Sequence, residues 1–328
     1  MALGNLNEKL EHLKSEIDGR IQEILSKPNP QTLYEPMRYI LRAGGKRLRP
    51  ILLLLSCKAV GGDPTKCLDA AVAVEMLHNF TLIHDDVMDQ DDTRRGQETI
   101  HKKWDVNVAI LSGDGLVALS YRYLMSCNHP RIAEIGRNFS DALLELCEGQ
   151  ALDKEFENRW DVTLDDYFTM IRKKTAVLIA LCTQIGAIFG NGAPEQIQNL
   201  HAYGLNMGMA FQIQDDLLDI VADEKTLGKD WGSDIVQRKK TFLLIHALEA
   251  GTPADAKAIH TIFNQKNITH ADVRRVQEIF ERTGTLKAAQ KLVQKHVDTA
   301  REHLATLPDS DGKADLVAFL DLVSHRNS

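Results

Sequence analysis

The chain has 328 residues, 44% hydrophobic and 26% charged, with a formal net charge of -7. This is the balance of an ordinary globular protein with room for a large core, and the acidic total excludes a general nucleic-acid binder. Five cysteines, at 57, 67, 127, 147 and 182, form no CxxC or CxxxC element; an odd, scattered set excludes a disulfide framework and fits a reducing, cytoplasmic setting.

In chain order, "MALGNLNEKLEHLKSEI" carries no apolar stretch of signal-peptide length. Leu10, Leu13, Ile17, Ile21 and Ile24 recur at three- and four-residue spacing, which predicts an amphipathic first helix. "RAGGKRLRP" (42–50) then gathers Arg42, Lys46, Arg47 and Arg49 around Gly44 and Gly45. Glycines there would let the backbone approach an anion closely. The element is not a P-loop, because GxxxxGK[ST] is absent. Gly61–Pro64, His129–Pro130 and Gly190–Pro194 read as short helix connections. "AVLIALCTQIGAIFG" (176–190) is too short and interrupted to span a bilayer and predicts a buried helix. "PEQIQNLHAYGLNMGMAFQIQDDLLDIV" keeps a helical period over a long stretch. The prolines, Pro28, Pro30, Pro50 and Pro64 among them, fall mostly at junctions, and no period-two alternation indicates a strand. The expectation is all-α, one domain over residues 1–328, with roughly ten or more helices.

Two acid clusters carry the chemistry. "HDDVMDQDDTRRG" (84–96) contains Asp85, Asp86 and Asp89, and "FQIQDDLLD" repeats the DDxxD spacing at Asp215, Asp216 and Asp219. Residues four apart on a helix differ by about 40° of rotation, so Asp85 and Asp89 share a face, with Asp92 continuing it, and Asp215 and Asp219 share another. Such pairs of hard oxygens suit Mg²⁺, which bridges carboxylates to phosphates. Asp86 and Asp216, about 100° away, are placed for supporting duties. An EF-hand starting at Asp89 fails, with Arg94 where glycine is needed and Ile100 where glutamate is needed. Basic residues accompany the acids: Arg94 and Arg95 after the first cluster, "RKKTA" with Lys173, Lys174 and Thr175, and Lys229 and Lys239 after the second. Carboxylate claws alternating with basic patches describe a site for metal-bridged polyphosphate.

"GGKRLRP", "EMLHNFTLIHDDVMDQDDTRRG", "ILSGDGL", "EGQALD", "KKTA", "FQIQDDLLD", "GKDWGSD" and "KKT", in this order over nearly the whole chain, resemble the trans-isoprenyl diphosphate synthases, the head-to-tail prenyltransferases. The resemblance implies a helical bundle of the isoprenoid synthase type, a central cavity and a homodimer. It implies an enzyme that condenses isopentenyl diphosphate with dimethylallyl, geranyl or farnesyl diphosphate. Asp85, Asp89 and Asp215 would be the main ligands of about three Mg²⁺ ions, replaceable by Mn²⁺, with Asp86, Asp216 and Asp219 in support. Arg94, Lys174 and Lys229 would hold the allylic diphosphate. Lys46, Arg49, His78 and Arg95, with Gly45 shaping the loop, would bind isopentenyl diphosphate. Thr175, Gln212 and Lys239 would lie near the reacting carbons or the leaving group.

Leu77, Phe80 and Thr81, just before the first claw, would set product length. An aromatic followed by a small residue, without an insertion in DDxxD, resembles the 20-carbon synthases of the archaeal type, with a 15-carbon product as the alternative. A terpene cyclase would carry an Asn/Ser/Glu motif in place of "DDLLD", and a head-to-head synthase would lack "GGKRLRP". A non-catalytic subunit of a heteromeric synthase would typically lose an acid motif and carry CxxxC. Departures are Asp91 and Asp92, where many relatives have small or apolar residues, and the unusual Trp231.

Overall fold

The computed structural model describes residues 2–27, 29–221 and 231–324 and is built almost wholly of helices, as the periodicity predicts. Two compact units divide the chain, each assembled from separated segments. The first comprises Met1–Phe139, Cys182–Leu200 and Leu307–Ala318; the second, Ser140–Leu181, His201–Thr306 and Phe319–Ser328.

At the centre of the first unit lies the Leu68–Asp89 helix, with every residue from Ala70 to Leu77 buried. A helix apolar on all sides must be surrounded, and here Ala2–Ile24, Leu48–Ala59 and Val106–Ser126 pack around it. Small residues set the closest approaches. A Cβ on Gly113 would stand 2.3 Å from the His84 ring, and one on Gly186 would stand 2.1 Å from the Leu53 carbonyl. Pro50 falls in the first turn of its helix, where a missing N–H costs nothing. Pro36, by contrast, lies inside the Gln31–Arg42 helix rather than at a junction.

One hairpin departs from the strand-free expectation: Thr93–Arg94 pairs antiparallel with Gln97–Glu98. Strands of two residues are too short to show alternation. Arg95 and Gly96 at its tip both have positive φ, 53° and 74°, the geometry of a tight primed turn.

In the second unit, helices Leu164–Ile171, Pro253–Phe263 and His270–Arg282 each begin at a reciprocal capping box: Thr163 with Asp166, Thr252 with Asp255, and Thr269 with Asp272. The 176–190 run is the buried helix expected, Val177–Phe189. Among the described residues, no helix is long and apolar enough to cross a membrane.

Candidate active site

Both DDxxD motifs close a helix. Asp85, Asp86 and Asp89 end Leu68–Asp89, and Asp215, Asp216 and Asp219 lie near the end of Pro194–Val221; neither helix has a basic residue in its last turn. A helix C-terminus carries partial negative charge, so carboxylates gathered there require cations from elsewhere. Arg94 supplies one: its Nε donates to Asp86 Oδ1, and its guanidinium lies 3.7 Å from Asp91. Asp86 is 2% exposed, and burial pushes its carboxyl up to about 6 against the pull of Arg94. Asp85 and Asp89 are half-buried on the same helix. Asp92 does not continue their face, because the helix stops at Gln90 in a left-handed conformation; Asp92 instead pairs with Lys102 at 2.8 Å.

The glycine-rich loop of the same unit forms a cationic cradle. Gly45 has φ +132°, and a Cβ there would meet the Arg95 guanidinium at 3.0 Å, so the arginine lies flat across the bare backbone and donates to the Gly44 carbonyl. Arg49 reaches His78 Nε2 at 3.3 Å. Burial first, then Arg49, Arg95, Arg94 and Arg47, hold His78 well below its usual range, so it is neutral. A neutral ring whose Nε2 accepts from arginine carries its proton on Nδ1, and that buried Nδ1 meets no hydrogen-bond partner among the described residues. Lys46 is exposed on the loop. Arg47 has a different task. It is 4% exposed, binds Asp18 at 2.8 Å, Glu75 at 2.7 Å and the Leu41 carbonyl at 2.5 Å, and so anchors the loop to the core.

The second unit holds a pocket of about 260 Å³ lined by Lys174, Thr175, Gln212, Asp215, Asp216, Asp219 and Lys239, among others. At "RKKTA" the backbone widens into a π turn, Arg172–Ala176. Such turns redirect side chains within a helix. Two glycines make room for it: a Cβ on Gly149 would meet the Lys174 backbone at 2.3 Å, and one on Gly208 would meet Ala176 Cα at 2.5 Å. The basic run fans out, with Arg172 on Glu145 and Lys173 on Glu148, while Lys174 alone donates to Asp153, at 2.5 Å. Lys239 stands 3.7 Å from the same Asp153 oxygen. Burial opposes ionisation of Asp153, yet Lys174 and Lys239 hold its carboxyl below the usual range. Thr175 donates to Gln212 at 2.7 Å, Gln212 to Asp216 at 2.9 Å, and Tyr167 to Asp216 at 2.7 Å. Burial raises Asp216 to about 7.

The neighbours of Lys239 are both structural. Arg238, at φ 59°, binds the carbonyls of Phe263 and Gln265, and buried Lys240 binds those of Glu157 and Arg238. Only Lys239 of the three points at Asp153. Asp219 accepts from Ser233 N at 3.0 Å, Ser233 Oγ at 2.8 Å and Asp234 N at 3.1 Å, so it caps the short Ser233–Val236 helix. Trp231 is 4% exposed and donates to the Ile220 carbonyl at 3.1 Å. Lys229 lies outside the described residues.

Asp153, Tyr167 and Asp234 were given no role by the sequence. Asp153 follows Gly149 by four in "EGQALD", a spacing that could have put both on one helix face toward "KKTA". Asp234 is pushed well up by burial and by Asp216 and Asp219. No sequence signal marked Tyr167.

The residues present fit Mg²⁺. The donors are all carboxylate oxygen, and Asp86 commits one oxygen and Asp216 both to protein donors, which suits them to support rather than to primary ligation. Among the described residues no three His, Cys, Asp or Glu side chains form a cage. Mg²⁺ needs none where one or two carboxylates share it with substrate phosphates.

The chain-length residues lie on the central helix. Leu77 is fully buried, Thr81 donates to the His78 carbonyl at 2.7 Å, and Phe80 meets the His84 ring edge-on at 4.7 Å.

The chain is similar to known proteins over nearly its whole length. The chain is 42% identical over 310 residues to a short chain isoprenyl diphosphate synthase of Methanothermobacter thermautotrophicus, covering 94% of this chain and 95% of that protein. It is 39% identical over 328 residues to a geranylgeranyl diphosphate synthase of Methanosarcina mazei, covering 99% of each. A crystal structure of a geranylgeranyl pyrophosphate synthetase from Pyrococcus horikoshii superposes with a TM-score of 0.94 at 38% identity, over 98% of this chain and 99% of that one. The polyprenyl synthetase family matches residues 30–280, and the chain belongs to it.

Proposed function

We propose that the protein is a Mg²⁺-dependent prenyltransferase that condenses isopentenyl diphosphate with allylic diphosphates, with geranylgeranyl diphosphate as the main product. The observation that carries this reading is that each unit ends a helix in DDxxD and supplies its own cations: Arg94, Arg95 and Arg49 in one, Lys174 and Lys239 in the other. The two units serve one reaction as a single polyprenyl synthetase domain.

Asp85, Asp89 and Asp215 would hold the metal, with Asp86, Asp216 and Asp219 in support. Bound there, Mg²⁺ neutralises charge that grows on the leaving diphosphate. Arg94 and Lys174, with Lys229, bind the allylic diphosphate, and Lys239 takes up charge on the leaving group. Gly45, Lys46, Arg49, His78 and Arg95 bind isopentenyl diphosphate, His78 through the Nδ1–H that meets no partner among the described residues. The allylic C–O bond breaks, the isopentenyl double bond attacks the cation, and a proton leaves to the departing diphosphate. The oxygen dipoles of Thr175 and Gln212 stabilise the cation without reacting with it.

The relatives' names leave product length open. A geranylfarnesyl diphosphate synthase of Natronomonas pharaonis is 36% identical over 329 residues, covering 95% of each chain. Phe80, followed by the small Thr81, supports 20 carbons, and farnesyl diphosphate is the second reading. A homodimer is supported by the exposed apolar side chains Val106, Ile110 and Leu111 on one helix, Leu111 being 58% exposed. A cytoplasmic setting is supported by five cysteines that form no disulfide.

Incubation with isopentenyl diphosphate, each allylic primer and Mg²⁺, with dephosphorylated products separated by chromatography, tests the whole reading. Absence of any elongated product rejects it.

A further inference from the structure

Tyr167 belongs to no motif, yet it is 1% exposed and its hydroxyl ends a chain of side-chain hydrogen bonds at the pocket. The chain has a direction. The Asp216 carboxylate accepts on both oxygens, from Tyr167 at 2.7 Å and from the Gln212 amide at 2.9 Å. With its NH₂ group turned to Asp216, Gln212 presents its oxygen to Thr175, whose hydroxyl donates at 2.7 Å. A threonine that spends its proton on Gln212 has only lone pairs left to offer elsewhere.

The orientation of two dipoles is therefore set from behind, by a tyrosine whose hydroxyl is spent on Asp216. Tyr167 is held in turn by Phe168 and Phe242, ring centroids 5.5 and 6.4 Å away. Without the tyrosine hydroxyl, one Asp216 oxygen loses its donor. The carboxylate can then rotate, and the Gln212 amide with it.

We propose that Tyr167 is a positioning residue for prenyl transfer, acting through Asp216 to keep the oxygens of Gln212 and Thr175 aimed into the pocket. This rests on the prenyl-transfer reading above. Dipoles aligned before the cation forms need no reorganisation as charge develops, which is where electrostatic stabilisation is most effective.

The test is a double-mutant cycle on the wild-type background. Tyr167→Phe removes one oxygen and keeps the ring. Its kcat is expected to fall about 10- to 100-fold, the usual effect of losing a supporting hydrogen bond. KM for both diphosphates should stay within about threefold, because the hydroxyl is engaged with Asp216. Tyr167→Phe added to Gln212→Ala should slow the enzyme little beyond Gln212→Ala alone. Unchanged kcat in Tyr167→Phe, a loss confined to KM, or effects that multiply in the double variant would each overturn the proposal. If Tyr167→Phe loses its cooperative melt at the assay temperature, the same cycle run at a lower temperature at which the variant is folded decides, multiplying effects again being adverse. An active wild type with a failed cycle rejects only this proposal; an inactive wild type rejects the prenyl-transfer reading and this proposal together.

Discussion

Lys174 donates to Asp153 at 2.5 Å, and Lys239, 65 residues further along the chain, stands 3.7 Å from the same oxygen. One carboxylate, 7% exposed, thus holds two ammonium groups side by side. Asp153→Asn removes the counter-charge that the two neighbouring cations share. The variant should lose about 2–3 kcal/mol of stability, somewhat less than the roughly 3–5 kcal/mol for breaking a fully buried pair, since both lysines are about a fifth exposed. Its KM for the allylic diphosphate should change with it. Urea titration and steady-state kinetics check both, and a variant as stable as wild type means the lysines do not depend on Asp153.

Asp85→Ala and Asp215→Ala should each remove most turnover, on the order of a hundredfold or more, while the melt stays close to that of wild type. Relieving like charges at a helix C-terminus does not destabilise the helix. Turnover near wild type at saturating Mg²⁺ would remove these residues from the metal set.

Arg49→Ala should raise KM for isopentenyl diphosphate about ten- to a hundredfold, the effect of losing one charge-assisted phosphate contact. The KM for the allylic substrate should move far less, because Arg49 contacts His78, whereas the proposed allylic contacts are Arg94 and Lys174. Equal rises for both substrates would contradict two separate diphosphate positions.

His78 is neutral in the folded protein because burial and four arginines oppose its proton. The unfolded chain takes that proton up below about pH 6.5, while the folded one does not. Stability from this residue is therefore complete above that pH and declines as the pH falls, by up to about 1.4 kcal/mol per pH unit. Denaturant midpoints measured between pH 7 and pH 5 should fall more steeply for wild type than for His78→Gln. Parallel slopes would mean that His78 takes up its proton in the folded state.

Phe80→Ala empties space beside His84 without adding a polar group. The product distribution should shift to longer chains with turnover retained. An unchanged distribution in dephosphorylated products would place the floor elsewhere, with Leu77 as the next candidate.

Much of the site was legible because its signals are local. DDxxD at helical spacing puts two carboxylates on one face whatever surrounds them, and "GGKRLRP" shows its glycines and cations together. The face stopped one turn earlier than the spacing suggested, since the left-handed Gln90 ends the helix before Asp92. The hairpin at 93–98 escaped notice because Arg-Gly is a weak turn signal beside Asn-Gly.

By itself the sequence determined the helical class, the two acid clusters on helices and the basic residues that must answer them, because periodicity and charge spacing act over one or two turns. Only the tertiary structure decided which cation does which task. Arg42–Arg49 and Arg238–Lys240 look alike as strings, yet Arg47, Arg238 and Lys240 turn to buried carboxylates and carbonyls while Arg49 meets His78 and Lys239 meets Asp153. Tyr167 and Asp153 gained their partners the same way. A long side chain goes to whichever acceptor burial leaves within reach, and that acceptor sits on a different helix, dozens of residues away.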